Sequence, residues 1–214
     1  MTATIAWKSH TKDPKVASFR LRGLLPCEHL IKAGLNCELF KPENKANYSV
    51  VIFQKAFSDN DYQLATNLKK NGCITVLDMC DNHFYDPDND PAFAERSEKL
   101  TRMINLVDHV TTSTKTLAEY INKKSVYTVD DYIDPPENNW LNKIYSKYAL
   151  NREFKKHKLD NTFKIVWYGN AGIESQQFGM MDLELVMPDL IKLNKKLPLS
   201  LTVISNNTDK FNQY

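Results

Sequence analysis

The stretch Val50-Val51-Ile52-Phe53-Gln54-Lys55 decides the fold of this chain. Its first four residues are apolar and mostly β-branched, which is typical of a strand buried on both faces of a parallel sheet. Short apolar runs like this one recur on both sides of it, near residues 4–7, 37–40, 74–77, 109–112 and 126–129. Longer amphipathic segments separate them. This alternation predicts an α/β fold, with a Rossmann-like, mostly parallel sheet flanked by helices.

Cap and breaker residues predict where two of the helices lie. Ser58 precedes a first turn with acidic residues, and the segment that follows ends at Gly72, so a helix is predicted between them. Asp90-Pro91 predicts the start of another helix. Its apolar residues fall largely on one face and are expected in the core: Phe93, Leu100, Met103, Ile104 and Val107.

Pro26 lies inside a segment, residues 17–33, that is otherwise helical in pattern. A proline in a helix interior lacks a donor and clashes with the preceding turn. The segment is therefore predicted either to kink or to begin as an irregular turn before a regular helix that ends at Gly34.

The chain is predicted to have two parts. Residues 1–134 form one complete Rossmann-like domain, residues 135–162 are polar and form an interdomain connection, and residues 163–214 form the first βαβ unit of a second Rossmann-like domain. Such a short unit buries too little surface to be stable alone. We therefore expect that the second domain is incomplete, or that it docks on another domain or subunit.

Composition excludes several classes of protein. With 28 basic and 26 acidic residues among 214, the net charge of +2 lacks the basic excess of a nucleic-acid binder. Four cysteines without a CxxC pair, and the lack of a signal-peptide pattern, favour the cytoplasm. No apolar stretch is long enough to span a bilayer, so any contact with the inner face of the membrane would be peripheral.

Two arginines follow the first predicted strand. Arg20 and Arg22 lie at or near a helix start, where unpaired backbone N–H groups and guanidinium groups both suit phosphate oxygens. The alternative is a solvated basic face of a helix. Gly169-Asn170 follows a later strand in the same way, and its backbone is a second candidate for contact with a phosphate.

Polar residues also follow the fourth predicted strand. Asp78, Asp81 and His83 come at its carboxyl end, where open α/β sheets bind ligands. A carboxylate or imidazole there can orient a sugar hydroxyl or act as a base. The alternative is that the aspartates cap turns.

The acidic cluster of Asp86, Asp88 and Asp90 is a candidate metal site. The calcium-loop motif needs glycine and an acid where this chain has Pro91 and Ser97, so the aspartates fit turns and a helix cap better. No metal is expected. The four cysteines, Cys27, Cys37, Cys73 and Cys80, are interpreted as small buried residues.

Taken in order, these segments resemble the retaining glycosyltransferases of family 4 and their GT-B-fold relatives. The resemblance covers nearly the whole chain, and its motifs are Ser18-Phe19-Arg20-Leu21-Arg22, residues 30–34, Val50-Val51-Ile52-Phe53-Gln54-Lys55, Val76-Leu77-Asp78-Met79-Cys80-Asp81, residues 108–117 and Ile165-Val166-Trp167-Tyr168-Gly169-Asn170.

The resemblance implies a sugar transferase that uses a nucleotide-sugar as co-substrate, no metal or other cofactor, and a glycan or glycolipid acceptor. The first domain would hold the acceptor and the second the donor. It implies that Arg20, Arg22, Gly169 and Asn170 lie near the donor phosphates. It also implies that Asp78 and Lys55 face the acceptor, and that Asp81 and His83 are catalytic.

Two departures from the family pattern matter. Residues 10–14 read His-Thr-Lys-Asp-Pro where many relatives have a glycine pair, and the donor-binding signatures of the second domain are missing. We therefore expect this chain to be truncated and inactive alone. A non-catalytic module that binds an acceptor or a partner subunit is the alternative, and a nucleotide-binding regulator is disfavoured because no Walker-type GKS/T occurs.

Overall fold

The computed structural model describes residues 4–84, 91–121, 123, 125–131, 144–145, 147–149, 151–152, 155, 161–169 and 179–205. The chain divides into two compact units, Met1–Pro136 and Glu137–Tyr214. The division falls inside the segment that was predicted as an interdomain connection. The functional labels of the two parts, acceptor side and donor side, stay predictions.

The first unit is built on a six-stranded parallel sheet in the order β2-β1-β3-β4-β5-β6. The strands are β1 (Thr4–Ser9), β2 (Asn36–Leu39), β3 (Val50–Gln54), β4 (Ile74–Met79), β5 (His109–Thr112) and β6 (Val126–Thr128). All five pairings are parallel. The predicted Rossmann-like α/β fold is confirmed.

Helices cover both faces of this sheet. One face packs against α3 (Asp59–Lys70), α4 (Pro91–Leu106) and α5 (Lys115–Ile121) around the buried side chains of Val51 and Phe53. The other face carries Trp7, which packs against Cys27 of α2 (Leu25–Lys32) and Cys37. The core positions predicted for α4 are buried, except that Phe93 is half-buried.

The direction of the chain connections reverses between β1 and β3. From β1 the chain passes to β2 on one side, whereas β3 pairs with β1 on its other side and β4, β5 and β6 follow outward. In open α/β sheets, ligands bind outside the carboxyl ends of the strands at such a switch point. The topology thus marks the ends of β1 and β3 before any side chain is considered.

The segment around Pro26 is an irregular helix, as predicted. A short helix, α1 (Ala17–Phe19), continues through a π-helical turn (Arg20–Leu24) into α2. Pro26 has no N–H to donate to the carbonyl of Arg22, four residues earlier. That carbonyl instead accepts a hydrogen bond from the indole Nε1 of Trp7 at 3.1 Å, which ties the helix to β1.

Glycine ends two of the helices, as predicted. Gly34 and Gly72 follow α2 and α3 with φ values of 86° and 80°, a backbone conformation that costs glycine little. The next residue in each case donates back into the last turn, Leu35 to Leu30 at 2.9 Å and Cys73 to Leu68 at 3.0 Å. Both closures have the Schellman pattern of hydrogen bonds.

The start of α3 is a complete capping box around Ser58. The hydroxyl of Ser58 accepts from the backbone N–H of Asp61 at 3.2 Å, and the Asp61 carboxylate accepts from the backbone N–H of Ser58 at 3.0 Å. The predicted helix start is confirmed. Asp61 also pairs with Lys8 of β1 at 2.9 Å, so the cap fastens the helix to the sheet.

We expect Ser58→Ala to lower the free energy of unfolding by about 1 kcal/mol, because one backbone donor at the helix start loses its acceptor. Urea denaturation of the whole chain measures this. Gln63→Ala, at an exposed position inside the same helix, is the control and is expected to change stability by less than about 0.5 kcal/mol. Equal effects of the two substitutions would contradict the capping role.

The second unit contains a βαβ element, as predicted. Strand β7 (Phe163–Gly169), helix α6 (Met181–Asn194) and strand β8 (Leu199–Ser205) follow in order, and the two strands pair in parallel. Large apolar side chains stay exposed on this element, for example Tyr168 at 81% and Leu185 at 80%. In the described part of the chain, none of the helices is long and apolar enough to cross a membrane.

Candidate functional site

Three neighbouring strands deliver polar residues to one edge of the sheet. β1 ends at Ser9 and leads to His10, β3 ends at Gln54 and leads to Lys55, and Asp81 follows β4. Backbone hydrogen bonds hold the segments together beyond the strands, from His10 N–H to the Gln54 carbonyl at 3.1 Å and from Lys55 N–H to the carbonyl of Asp78 at 2.9 Å. These residues therefore meet at the switch point.

Lys55, Asp81 and His83 form one cluster at this edge. Lys55 Nζ lies 2.5 Å from Asp81 Oδ2, and His83 Nε2 lies 3.9 Å from the same oxygen. The imidazole of His83 also packs against Phe57, with ring centroids 5.6 Å apart. The structure thus brings together three of the residues that the sequence singled out.

Burial and the charge of Lys55 together shift the pKa values of the neighbouring side chains. Burial disfavours the charged imidazole of His83, and the positive charge of Lys55 adds to this, so the pKa of His83 falls to about 4. The same two causes lower the pKa of His10. Burial opposes ionisation of Asp81, but the hydrogen bond and charge of Lys55 outweigh it and lower its pKa. At neutral pH an ionised Lys–Asp pair therefore lies beside two neutral imidazoles.

The backbone of Lys55 is strained. Its φ is 49°, and it is the one non-glycine residue with a positive φ in the described part of the chain. A positive φ raises the free energy of an L-residue with a long side chain, whereas glycine adopts it without this penalty. Strain of this kind gathers at functional sites, where the surrounding structure holds it in place.

A cavity of about 780 Å³ opens next to this cluster. Its walls come from β1, the chain after β2, the start of α3 and α4, and they include Lys8, His10, Phe40, Pro42, Lys45, Lys55, Phe57, Ser58, Asn60, Asp61, Leu64, Glu95, Arg96 and Lys99. Asp81 and His83 do not line it. They lie beside it and contact two of its walls, Lys55 and Phe57.

Arg22 and Asp78 form a buried bidentate ion pair on the other face of the sheet. The guanidinium donates from Nε and from a terminal nitrogen to the two carboxylate oxygens at 2.9 and 2.6 Å. The second terminal nitrogen donates to the carbonyl of Val129 at 2.9 Å and to Asp131 at 2.8 Å. Asp78 further accepts from the hydroxyl of Thr111 at 2.6 Å. The pair joins the π-helical turn, β4, β5 and the chain after β6.

The two arginines do not converge on one point. Arg22 is occupied by the carboxylates of Asp78 and Asp131, whereas Arg20 donates to the carbonyl of Pro14 at 2.9 Å. Asp78 is likewise only 5% exposed and fully engaged with Arg22 and Thr111. The predicted roles of the arginines at a donor phosphate, and of Asp78 toward an acceptor, stay predictions, and the geometry assigns Arg22 and Asp78 a structural role.

The remaining candidates lie elsewhere. Gly169 ends β7 in the second unit, where an added Cβ would meet the indole of Trp167 at 3.0 Å, so packing alone favours glycine there. Asn170 and the cluster of Asp86, Asp88 and Asp90 lie outside the described residues. Among the residues described, no group of three potential ligands is arranged to hold a metal ion.

Sequence reasoning missed several residues of this edge. Gln54 is fully buried and lies close to His10, yet neither its amide nitrogen nor its oxygen meets hydrogen-bond geometry with a described residue. Ser9 is 8% exposed, and its hydroxyl likewise has no hydrogen-bond partner among the described residues. The available signal was their place just beyond two predicted strands, since Gln54 directly follows residues 50–53 and Ser9 lies two residues after Trp7.

Comparison with models of known protein families and with curated proteins finds no match for this chain. Function must therefore be argued from the site.

We expect Arg22→Ala to lower the free energy of unfolding by about 3–5 kcal/mol, because it leaves the Asp78 carboxylate buried without its partner. The control Arg20→Ala removes an exposed contact to a single carbonyl and is expected to cost less than about 1 kcal/mol. Urea denaturation of both variants, of Asp78→Ala and of Arg22→Ala combined with Asp78→Ala gives the coupling between Arg22 and Asp78. A loss in Arg22→Ala no larger than that in Arg20→Ala would contradict the structural role.

The low pKa of His83 predicts a pH dependence of stability. In the unfolded chain the imidazole has its ordinary pKa of 6.5, and in the folded chain the pKa is about 4, so the fold prefers the neutral ring. This contribution is fully present above pH 6.5 and is lost as the pH falls toward 4. Between pH 7 and 4, the native chain should lose about 3 kcal/mol more stability than His83→Gln. Parallel stability curves of the two proteins over that range would show that His83 does not titrate in this way.

Proposed function

We propose that the first unit is the acceptor-side domain of a GT-B-type sugar transferase, which moves a sugar from a nucleotide-sugar to a glycan or glycolipid. The observation that carries the proposal is the cavity of about 780 Å³ at the switch point of a Rossmann-like sheet. Ligands of open α/β proteins bind at this place. The motifs in the sequence that resemble glycosyltransferases of family 4 agree with it.

The walls of the cavity suit a sugar. Phe40, Phe57 and Leu64 supply apolar surface for the C–H face of a ring, while Ser58 and Asn60 supply hydroxyl and amide groups for its hydroxyls. Binding sites generally combine apolar walls with a few polar groups that fix orientation. The cavity is also large enough for a monosaccharide or a short glycan.

In the proposed reaction an acceptor hydroxyl attacks the anomeric carbon of the donor. The bond from that carbon to the phosphate oxygen breaks, the nucleoside diphosphate leaves, and the hydroxyl proton passes to a base. Lys55 lines the cavity and is the cluster residue placed to contact the acceptor. Catalysis by Asp81 or His83, as the resemblance implies, requires the acceptor to reach past Lys55 and Phe57. As they stand, Asp81 pairs with the ammonium group of the lysine, and His83 contacts Asp81 and Phe57.

Donor binding is proposed to depend on cationic side chains and backbone donors rather than on a metal ion. Charge-assisted hydrogen bonds to a departing diphosphate stabilise the charge that develops in the transition state. Arg20, Gly169 and Asn170 are the candidates that the resemblance supplies for this role.

The second candidate is a module that binds a glycan without transferring sugar. It is favoured by the position of Asp81 and His83, which lie outside the walls of the cavity. Both functions share acceptor binding at the switch point, and they differ in whether the chain also binds a nucleotide-sugar.

We expect calorimetric titration of the whole chain to detect binding of a sugar from a panel of mono- and oligosaccharides. Phe57→Ala, which removes an apolar wall, should weaken sugar binding about tenfold or more. Phe163→Ala, at an exposed position in the second unit, is the matched control and should leave it unchanged.

Sugar binding without any binding of a nucleotide-sugar, even when the chain is joined to a complete donor-binding domain, would favour the non-catalytic module. If no sugar bound, or if Phe57→Ala bound sugar as the native chain does, the acceptor site would lie elsewhere and the proposal would fail.

A further inference from the structure

The walls of the cavity carry an excess of positive charge. Five cationic side chains, from Lys8, Lys45, Lys55, Arg96 and Lys99, face two acidic ones, from Asp61 and Glu95. A neutral sugar needs no such excess. A concave site lined by one sign of charge raises the local concentration of ligands of the opposite sign.

Ion pairs within the protein use up part of this charge but not all of it. Lys8 pairs with Asp61 at 2.9 Å, and Lys99 pairs with Glu95 at 2.6 Å. Among the described residues, Nε of Arg96 has no hydrogen-bond acceptor. The guanidinium of Arg96 stacks on Phe93 at 4.0 Å, which holds it in a fixed orientation.

Lys55 is held at the cavity at a cost in backbone strain. Its φ of 49° suits glycine, yet a lysine occupies the position and keeps its side chain only 16% exposed. The partner of Lys55, Asp81, is half-exposed, so the ammonium group is neutralised on one side only. A strained residue that brings a half-buried cation to a cavity wall indicates that the side chain has a ligand.

The pKa values of the two neighbouring imidazoles are consistent with a positive electrostatic potential at the cavity. His10 lines the cavity and His83 lies behind Lys55, and burial together with the charge of Lys55 lowers the pKa of both. Each ring is therefore neutral at pH 7 and adds nothing to the repulsion among the cations, and His10, which lines the cavity, carries one N–H donor.

We propose that this cavity binds a sugar that carries an oxyanion, either a phosphate or a carboxylate group. Lys55 and Arg96 are the principal contacts of that anionic group. The identity of the ligand as an acceptor rests on the proposed function, and the charge of the ligand rests on the cavity alone. Charge-assisted hydrogen bonds from a guanidinium and an ammonium group are the strong contacts for such an anion.

The experiment is calorimetric titration of the whole chain with glucose 6-phosphate, glucuronate, glucose and uridine diphosphate. Glucose 6-phosphate or glucuronate should bind at least about tenfold more tightly than glucose, and this advantage should shrink between about 0.05 M and about 0.5 M salt. The two anionic sugars distinguish phosphate from carboxylate as the preferred group.

Two substitutions at Lys55 separate binding from folding. Lys55→Ala and Lys55→Gly both remove the ammonium group, so each should weaken binding of the anionic sugar at least about tenfold. Glycine accepts the positive φ, so Lys55→Gly should melt at a higher temperature than Lys55→Ala. Arg96→Gln should also weaken binding, whereas Lys192→Ala, an exposed lysine in the second unit, should not.

If neither glucose 6-phosphate nor glucuronate bound more tightly than glucose, the inference would be overturned and sugar binding would be left intact. Tighter binding of uridine diphosphate, with displacement of the sugar phosphate, would also overturn it, because the anion would then belong to a donor. If anionic sugars bind through Lys55 while no nucleotide-sugar binds even when the chain is joined to a complete donor-binding domain, the inference stands and the transferase proposal fails.

Discussion

The buried pair of Arg22 and Asp78 is the interaction on which the first unit depends. Its two charges lie between a helix and the sheet, and the remaining donor groups of the guanidinium reach the chain after β6, more than a hundred residues along the sequence. Hydrogen bonds from Thr111 and to Val129 satisfy groups that would otherwise be buried without partners. Such pairs add little net stability compared with apolar packing, but losing one partner is severe. The pair therefore fixes which segments meet.

The geometry at the carboxyl edge of the sheet depends on the pair of Arg22 and Asp78. The carbonyl of Asp78 accepts from the N–H of Lys55, so the residue whose side chain holds Arg22 on one face also holds the backbone of Lys55 in its strained conformation. Lys55, together with burial, in turn shifts the pKa values of Asp81, His10 and His83. Fold and candidate site thus share one residue, Asp78, which serves both through different atoms.

The sequence predicted the sheet well because each strand is a short apolar run and each parallel crossover needs a long amphipathic segment between runs. The caps at Ser58, Gly34 and Gly72 were readable for a similar reason, since they act through neighbours in the chain. The ion pair of Arg22 and Asp78 was not readable, because its members are 56 positions apart and each looked like a ligand-binding residue beside its own strand.

The candidate site was predicted only in part. Asp81, His83 and Lys55 were singled out by position, and they do lie together. The sequence did not show that Lys55 has a positive φ, because a lysine, like most residues with a side chain, usually adopts a negative φ. Nor did it show Arg96 or His10 as parts of the same cavity, since the first lies on a helix and the second follows a different strand.

The π-helical turn from Arg20 to Leu24 has a consequence for the phase of the helix that contains it. A turn that closes over five residues instead of four delays every later side chain by about one residue, a rotation of roughly 100°. Phe19 before the turn, Arg22 within it and Cys27 after it are all buried. In a regular helix of the same sequence, Cys27 would lie about 80° around the axis from Phe19 and about 140° from Arg22. The length of this segment is therefore as strongly constrained as its composition, and deletion of a single residue between positions 20 and 24 would turn Cys27 and the rest of α2 away from Trp7.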